Sequence, residues 1–196
     1  MDKTKKIELP TAEQLKNELD RRKYKSGYFK TLFNTLGTVV SAVAAVFLIS
    51  QLLFPVLRVT GKSMNPNLNE NQIILVNKVA PVHNGDIIAF YHNKKILIKR
   101  VIASNGDTIN IDEQGVVSVN GSLINESYAV ISPEGECDTT FPYTVPQNRF
   151  FVMGDDRAGS VDSRSSAVGC VAEENIIGKV SYVVLPFEDF KKVNGG

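Results

Sequence analysis

Between Leu36 and Leu57 the chain reads LGTVVSAVAAVFLISQLLFPVL, 22 positions without a charge. As a helix rising about 1.5 Å per residue this stretch is about 33 Å long, enough to cross a bilayer. The segment before it is too long and too charged for an ordinary cleaved leader, so the pattern predicts an uncleaved transmembrane helix. Beyond it the period changes. Short runs of branched and aromatic residues recur at 72–79, 86–92, 95–103, 107–112, 116–119, 149–154 and 179–185, with turn residues between them. Asn120-Gly121 is the strongest hairpin signal, because both residues tolerate the positive φ of a type I′ turn. Only AEENII (172–177) is helix-like, and weakly. Strands without intervening helices predict an antiparallel β-sandwich or barrel-like fold. The expected organisation is a tail over 1–35, a transmembrane helix over 36–57 and a mostly β outer domain over 58–196.

Charge sharpens this picture. Lys plus Arg number 22 and Asp plus Glu 21, a net +1 that excludes a general nucleic-acid-binding balance. Residues 1–30 hold nine basic and five acidic side chains, while 31–196 hold thirteen and sixteen. In RRKYKSGYFK (21–30), Arg21, Arg22, Lys23, Lys25 and Lys30 stand just before the apolar stretch with no acidic residue among them. The positive-inside rule therefore puts the N-terminus in the cytoplasm and 58–196 outside. Thr11 and Gln14 have capping-box spacing and could start a helix over 11–25. A solvated tail with basic residues toward lipid is the favoured reading there. The longest loop, 132–148, reads as surface, with Phe141 and Tyr143 as apolar residues it could turn toward lipid.

Few residues can carry chemistry. Two histidines, His83 and His92, and two cysteines, Cys137 and Cys170, leave little from which to build a metal site, and neither a metal nor a cofactor is expected. A Ser-His-Asp triad lacks a GxSxG elbow, and both histidines read as exposed loop residues. Neither cysteine stands in an activating context. A serine can also be activated by a lysine whose pKa burial has lowered. Ser63 stands in the turn-rich VTGKSMNPNL (59–68), within about 20 Å of the end of the apolar stretch at about 3.5 Å per residue. Lys99 and Arg100 stand inside the apolar run KILIKRVIA. Alternation does not choose between them because both faces look buried, but only a lysine can lose its proton. In MGDDRAGSVDSR (153–164), Asp162 and Arg164 could pair, and Ser160 and Ser163 could meet an amine.

Taken together and in order, the basic tail, the single apolar span, GKSMNPNL, GDIIAF (85–90), IKRVIASNGD (98–107) and GDDRAGSVDSR (154–164) resemble the bacterial type I signal peptidases of Gram-positive form. The resemblance implies a membrane-anchored serine protease with a mostly β domain that removes signal peptides from exported preproteins. It implies Ser63 as nucleophile and Lys99 as general base, with Ser160 orienting the lysine amine. It further implies an Asp162–Arg164 salt bridge and Met64 packed beside the nucleophile. The expected partners are signal peptides and the lipid bilayer, and a monomer is expected.

Some positions depart from that family pattern. Asn67 stands where Thr is usual, Asp156 where Asn is usual, and Gly159 where Asn is frequent. Gly61 occupies a position where some members place an oxyanion-binding serine hydroxyl, which leaves the Ser63 N–H as donor. Asp156 is expected to raise the lysine pKa and lower activity at neutral pH. Two rival readings are a soluble self-cleaving Ser-Lys regulator, disfavoured by the apolar span, and a silent binding protein, disfavoured by retention of Ser63 and Lys99. A Cys137–Cys170 disulfide is left open, since spacing does not fix whether the two come within bridging distance. Asn120 and Asn125 fit the N-x-S/T pattern without consequence in such a protein.

Overall fold

The computed structural model describes residues 10–133, 135–193 and 195, with Lys25 and Ser26 described by their backbone alone. It divides into two units, Met1–Ile49 and Ser50–Gly196. Helix α1 spans Ala12–Leu53. The expected capping box forms at its start: the Thr11 N–H donates to Gln14 Oε1 (3.0 Å) and the Gln14 N–H to Thr11 Oγ1 (3.4 Å). A solvated tail over 11–25 is thereby corrected to helix, which the capping geometry and the Leu15 and Leu19 spacing support. The other end is corrected as well. Residues 54–57 are not helical, because Pro55 has no N–H for the helix ladder. The Leu53 and Pro55 carbonyls accept instead from the N–H groups of Lys78 and Val76. The uncharged helical part, 31–53, is about 35 Å long and is the one helix among the described residues apolar enough to cross a membrane.

The second unit is antiparallel β structure, as the alternating runs predict. Its strands are β1 (Val56–Arg58), β2 (Ile73–Asn77), β3 (Ile87–His92), β4 (Lys95–Ser104), β5 (Thr108–Ile111), β6 (Val117–Val119), β7 (Ser122–Leu123), β8 (Tyr143–Thr144), β9 (Arg149–Met153), β10 (Val171–Ala172), β11 (Ile176–Leu185) and β12 (Lys191–Lys192). The larger sheet runs β1-β2-β11-β3-β4-β9-β10, with β12 also on β11; the smaller runs β7-β6-β5-β8. The late strand β11 thus joins the β1–β2 hairpin to the β3–β4 hairpin. Register shifts along it, where one strand carries an extra residue, add the local bend and twist that let the sheet curl. The β6–β7 connection is the expected I′ hairpin, with Asn120 at φ 53° and Gly121 at φ 79°. The helix-like 172–177 segment is a single 3₁₀ turn, Glu173–Asn175.

From Lys99 to Ala103 both faces of β4 are buried, because it is sandwiched there. Ile102 packs with Ile109, Val117 and Phe151 under the small sheet, whereas Val101 packs with Ile88, Phe90 and Val152. Phe141 and Tyr143 turn inward rather than toward lipid, with ring centroids 6.3 Å and 6.0 Å from that of Phe151. Their apolar area is better buried there than left in a loop.

Candidate active site

Two charged side chains at the centre of an apolar strand demand explanation, since an ionised group there needs a partner or must shed its charge. Neighbours on β4 point to opposite faces and meet two different solutions. Arg100, 2% exposed, donates to Asp155 Oδ1 through Nε (2.8 Å) and to Oδ2 through Nη2 (2.7 Å), and its guanidinium lies 4.0 Å over the Tyr128 ring. It is a fully paired cation.

Lys99, 4% exposed, has no carboxylate within ion-pair distance among the described residues. Its Nζ donates to Ser63 Oγ at 2.8 Å and to Ser160 Oγ at 2.9 Å. Burial lowers its pKa from 10.5 to about 8, opposed mainly by the Asp162 charge, with Asp155 and Asp156 opposing less, while Arg164 assists. A lysine so placed loses its proton far more readily than a free one, around pH 8. It can then accept the Ser63 proton along the same 2.8 Å line while still donating to Ser160.

The hydroxyl of Ser160 donates to Asp162 Oδ2 (2.7 Å), which leaves its lone pair facing the amine. Asp162 accepts in turn from Arg164 Nε (2.9 Å) and from the Gly154 N–H (2.9 Å), and Arg164 Nη2 donates to the Arg157 carbonyl (2.7 Å). The anticipated Asp162–Arg164 pair is present and buried. Gly154 is required by close approach: a Cβ there would meet Ser160 Cβ and the Ser63 carbonyl at 2.5 Å. Met64 is buried with Val59, Leu68 and Ile74 beneath the Ser63 loop.

The departures from the family pattern have local explanations. Asn67 reaches across with Nδ2 to the Tyr128 carbonyl (2.7 Å) and Asp155 Oδ2 (2.8 Å), so an amide ties the Ser63 loop to the 154–164 loop. Gly61 has φ +83°, which favours glycine, and its N–H donates to exposed Glu70 Oε1 (3.4 Å). The Ser63 N–H has no acceptor among the described residues and is free to donate. Asp156 accepts from the Gly159 N–H (3.2 Å) and its own N–H donates to the Ser63 carbonyl (3.2 Å). Its charge raises the Lys99 pKa, in the anticipated direction, though as the least of the contributions named above. Asp156→Asn keeps the acceptor and removes the charge. The expected result is faster turnover at neutral pH, by about two- to fivefold, with the rising limb of the pH–rate profile moved to lower pH. Superimposable profiles for the two proteins would dismiss the effect.

Sequence reasoning missed a second polar cluster. Arg157, 1% exposed, is paired with Glu126, and Tyr128 Oη donates to the same carboxylate (3.1 Å). Arg157 Nε also donates to the Gly154 carbonyl (3.0 Å), which anchors the loop that carries Ser160. The glycines and charges of 153–164 read as solvated loop, and Glu126 stands in no periodic segment; the usable signal was an arginine in a loop that also has to contact a strand end. His83 is exposed beside Asp86, and Cys137 and Cys170 are both free thiols.

A cleft of about 510 Å³ opens at the Ser63 hydroxyl. One wall is Leu57–Gly61 and the other is Lys94–Lys99. Those walls are unpaired backbone edges. β1 is the terminal strand of its sheet, and β4 is paired with β9 only from Arg100 onward, so residues 95–99 have one free edge. Free backbone edges of this kind are what an extended peptide needs in order to bind by strand addition.

The chain matches known proteins over most of its length. A profile described as signal peptidase, peptidase S26, matches residues 32–185. The chain is similar to Signal peptidase I S of Bacillus subtilis (strain 168), with 29% identity over 177 residues that cover 84% of this chain and 95% of that protein. It is also similar to Signal peptidase I of Bacillus amyloliquefaciens, with 31% identity over 170 residues covering 79% and 86%. The crystal structure of a signal peptidase I from Enterococcus faecalis V583 shares 26% identity at a TM-score of 0.45, over 53% of this chain and 99% of that one.

Proposed function

The chain belongs to the signal peptidase family, peptidase S26, and from that premise we propose a membrane-anchored serine endopeptidase that removes signal peptides from exported preproteins through a Ser63–Lys99 dyad. The observation that carries this reading is the buried lysine amine 2.8 Å from Ser63 Oγ, held from its other side by Ser160.

Neutral Lys99 takes the Ser63 proton as Oγ attacks the scissile carbonyl, and the tetrahedral oxyanion takes the Ser63 N–H. Lys99 then protonates the leaving amine, which departs as the new N-terminus of the mature protein. A water gives a proton to Lys99 and attacks the acyl-enzyme, and that proton returns to Ser63 as the shortened leader is released. Ser160 keeps the amine pointed at Oγ through both halves. The uncharged helical part over 31–53 supplies the anchor, with the basic residues before it on the cytoplasmic side and the β unit outside. Chain segments 1–35, 36–57 and 58–196 are assigned to tail, membrane and catalysis, with the helix end shifted to Leu53. A monomer suffices for this mechanism, because Ser63, Lys99 and Ser160 come together within one chain.

The test is processing of a secretory precursor with an A-x-A cleavage site by the detergent-solubilised chain, with the product's new N-terminus sequenced. A single cut after the second small residue is expected; a purified, folded protein that cuts no precursor would favour the silent binding reading. The pH dependence has a definite sign. Below the Lys99 pKa of about 8 the amine is protonated and cannot accept. The kcat/KM should therefore rise about tenfold per pH unit up to that value and level off above it. A profile that falls with rising pH over this range would exclude a lysine base.

A further inference from the structure

Resting on that reading, the far end of the cleft points to a substrate feature that the dyad does not address. Arg58 on one wall and Lys94 and Lys95 on the other stand at the end opposite Ser63, and no cleft-lining residue is acidic. None of the three has a carboxylate partner among the described residues, and Arg58 spends one N–H on Asn71 Oδ1 (2.8 Å). Glu70 meets the wall at Gly61, toward the dyad.

Lys94 is also held against its backbone preference. It follows Asn93 in a turn where the two have φ 64° and 45°, a geometry in which glycine is favoured at the second position. The turn would form more readily with glycine there, so the local backbone does not explain the lysine; a charge needed at the mouth of the cleft does.

β1 and β4 both run toward the dyad, and a strand laid between them rises about 3.3 Å per residue. Lys95 precedes Lys99 by four residues on β4, so the three cations flank a substrate position about four to five residues from the scissile bond. The walled side of the cleft, lined by Val59, Met64, Ile96 and Ile98, suits the small residues that precede the cut. We infer that Arg58, Lys94 and Lys95 form an anion subsite that selects precursors with Asp or Glu about four to five residues before the cleavage point. The occupant is a peptide carboxylate rather than a lipid phosphate, because the three charges line the same cleft as Ser63.

The test compares peptides identical except for Asp, Asn or Lys at the fifth residue before the cut, cleaved by the full chain in detergent at low ionic strength. The expected kcat/KM for Asp exceeds that for Lys by about tenfold, with Asn between, and the ratio falls toward one in about 0.5 M salt. In the triple variant R58Q/K94Q/K95Q the Asp-to-Lys ratio falls to about one at every salt concentration. A ratio of one in the wild type, or a preference that survives in the triple variant, overturns the inference while leaving the peptidase reading intact. So does loss of binding to phosphatidylglycerol vesicles in the triple variant with the peptide ratio unchanged, which would assign the three cations to lipid. Failure to cleave any of the three peptides, Asn included, overturns the peptidase reading itself.

Discussion

Ser63→Ala and Lys99→Ala are each expected to lower precursor cleavage by at least about 10³-fold, and the double variant to be no worse than either alone. The non-additivity follows from the geometry. In the proposed mechanism one atom pair, Lys99 Nζ and Ser63 Oγ at 2.8 Å, performs the proton transfer, and removing either partner removes the whole step. Lys99→Arg should not rescue, because a guanidinium stays protonated and offers no lone pair. It would also have to fit between Ser63 and Ser160 in a 4% exposed position. Thermal unfolding of the same preparations separates loss of chemistry from loss of fold. The Ser63 variant removes one hydroxyl and should melt close to the wild type. Cleavage that survived both substitutions at more than about a tenth of the wild-type rate would place the nucleophile elsewhere.

The largest loss of stability is expected from Asp155→Ala, about 3 to 5 kcal/mol. Arg100 and Asp155 are 2% and 0% exposed at the side chain, and the carboxylate takes both forks of the guanidinium as well as the Asn67 amide. Its removal strands a buried cation that cannot discharge itself, and it unties the Ser63 loop at the same moment. For a domain of this size the melting point should drop by about 10 °C or more. Replacing both partners together, as Arg100→Met with Asp155→Leu, should recover part of the loss, because no charge is then left unpaired. A fall of less than about 1 kcal/mol for Asp155→Ala would mean that water reaches Arg100.

The long strands and the residues around the dyad could be read from the sequence for a shared reason. β2, β3, β4, β9 and β11 each run five to ten residues, long enough for burial to impose a pattern on them. β7, β8, β10 and β12 have two residues each, and no periodicity exists over two positions. The start of α1 was harder, since the charges over 12–30 are as compatible with a solvated tail as with an exposed helix. Ser63, Lys99, Ser160, Asp162 and Arg164 stood out through the order of their motifs along the chain. The partner of Arg100 did not, because Asp155 lies 55 positions away. The burial that pairs them is a property of the assembled sheet. A stricter reading was available: a cation inside an apolar strand that cannot shed its proton must have an anion somewhere in the core.

The place of β11 between β2 and β3 sets when this protein can first be active. The β1–β2 hairpin leads into the Ser63 loop, and the β3–β4 hairpin carries Lys99. These two halves share no strand pairing until residues 176–185 lie between them. Synthesis proceeds from the N-terminus, so serine and lysine are both made well before the strand that brings them into one sheet. A growing chain therefore carries Ser63 and Lys99 in two halves that are not yet joined by strand pairing. On the proposed mechanism the dyad assembles only once nearly all of the β unit has been made. That sequence of events follows from the place of β11 in the sheet.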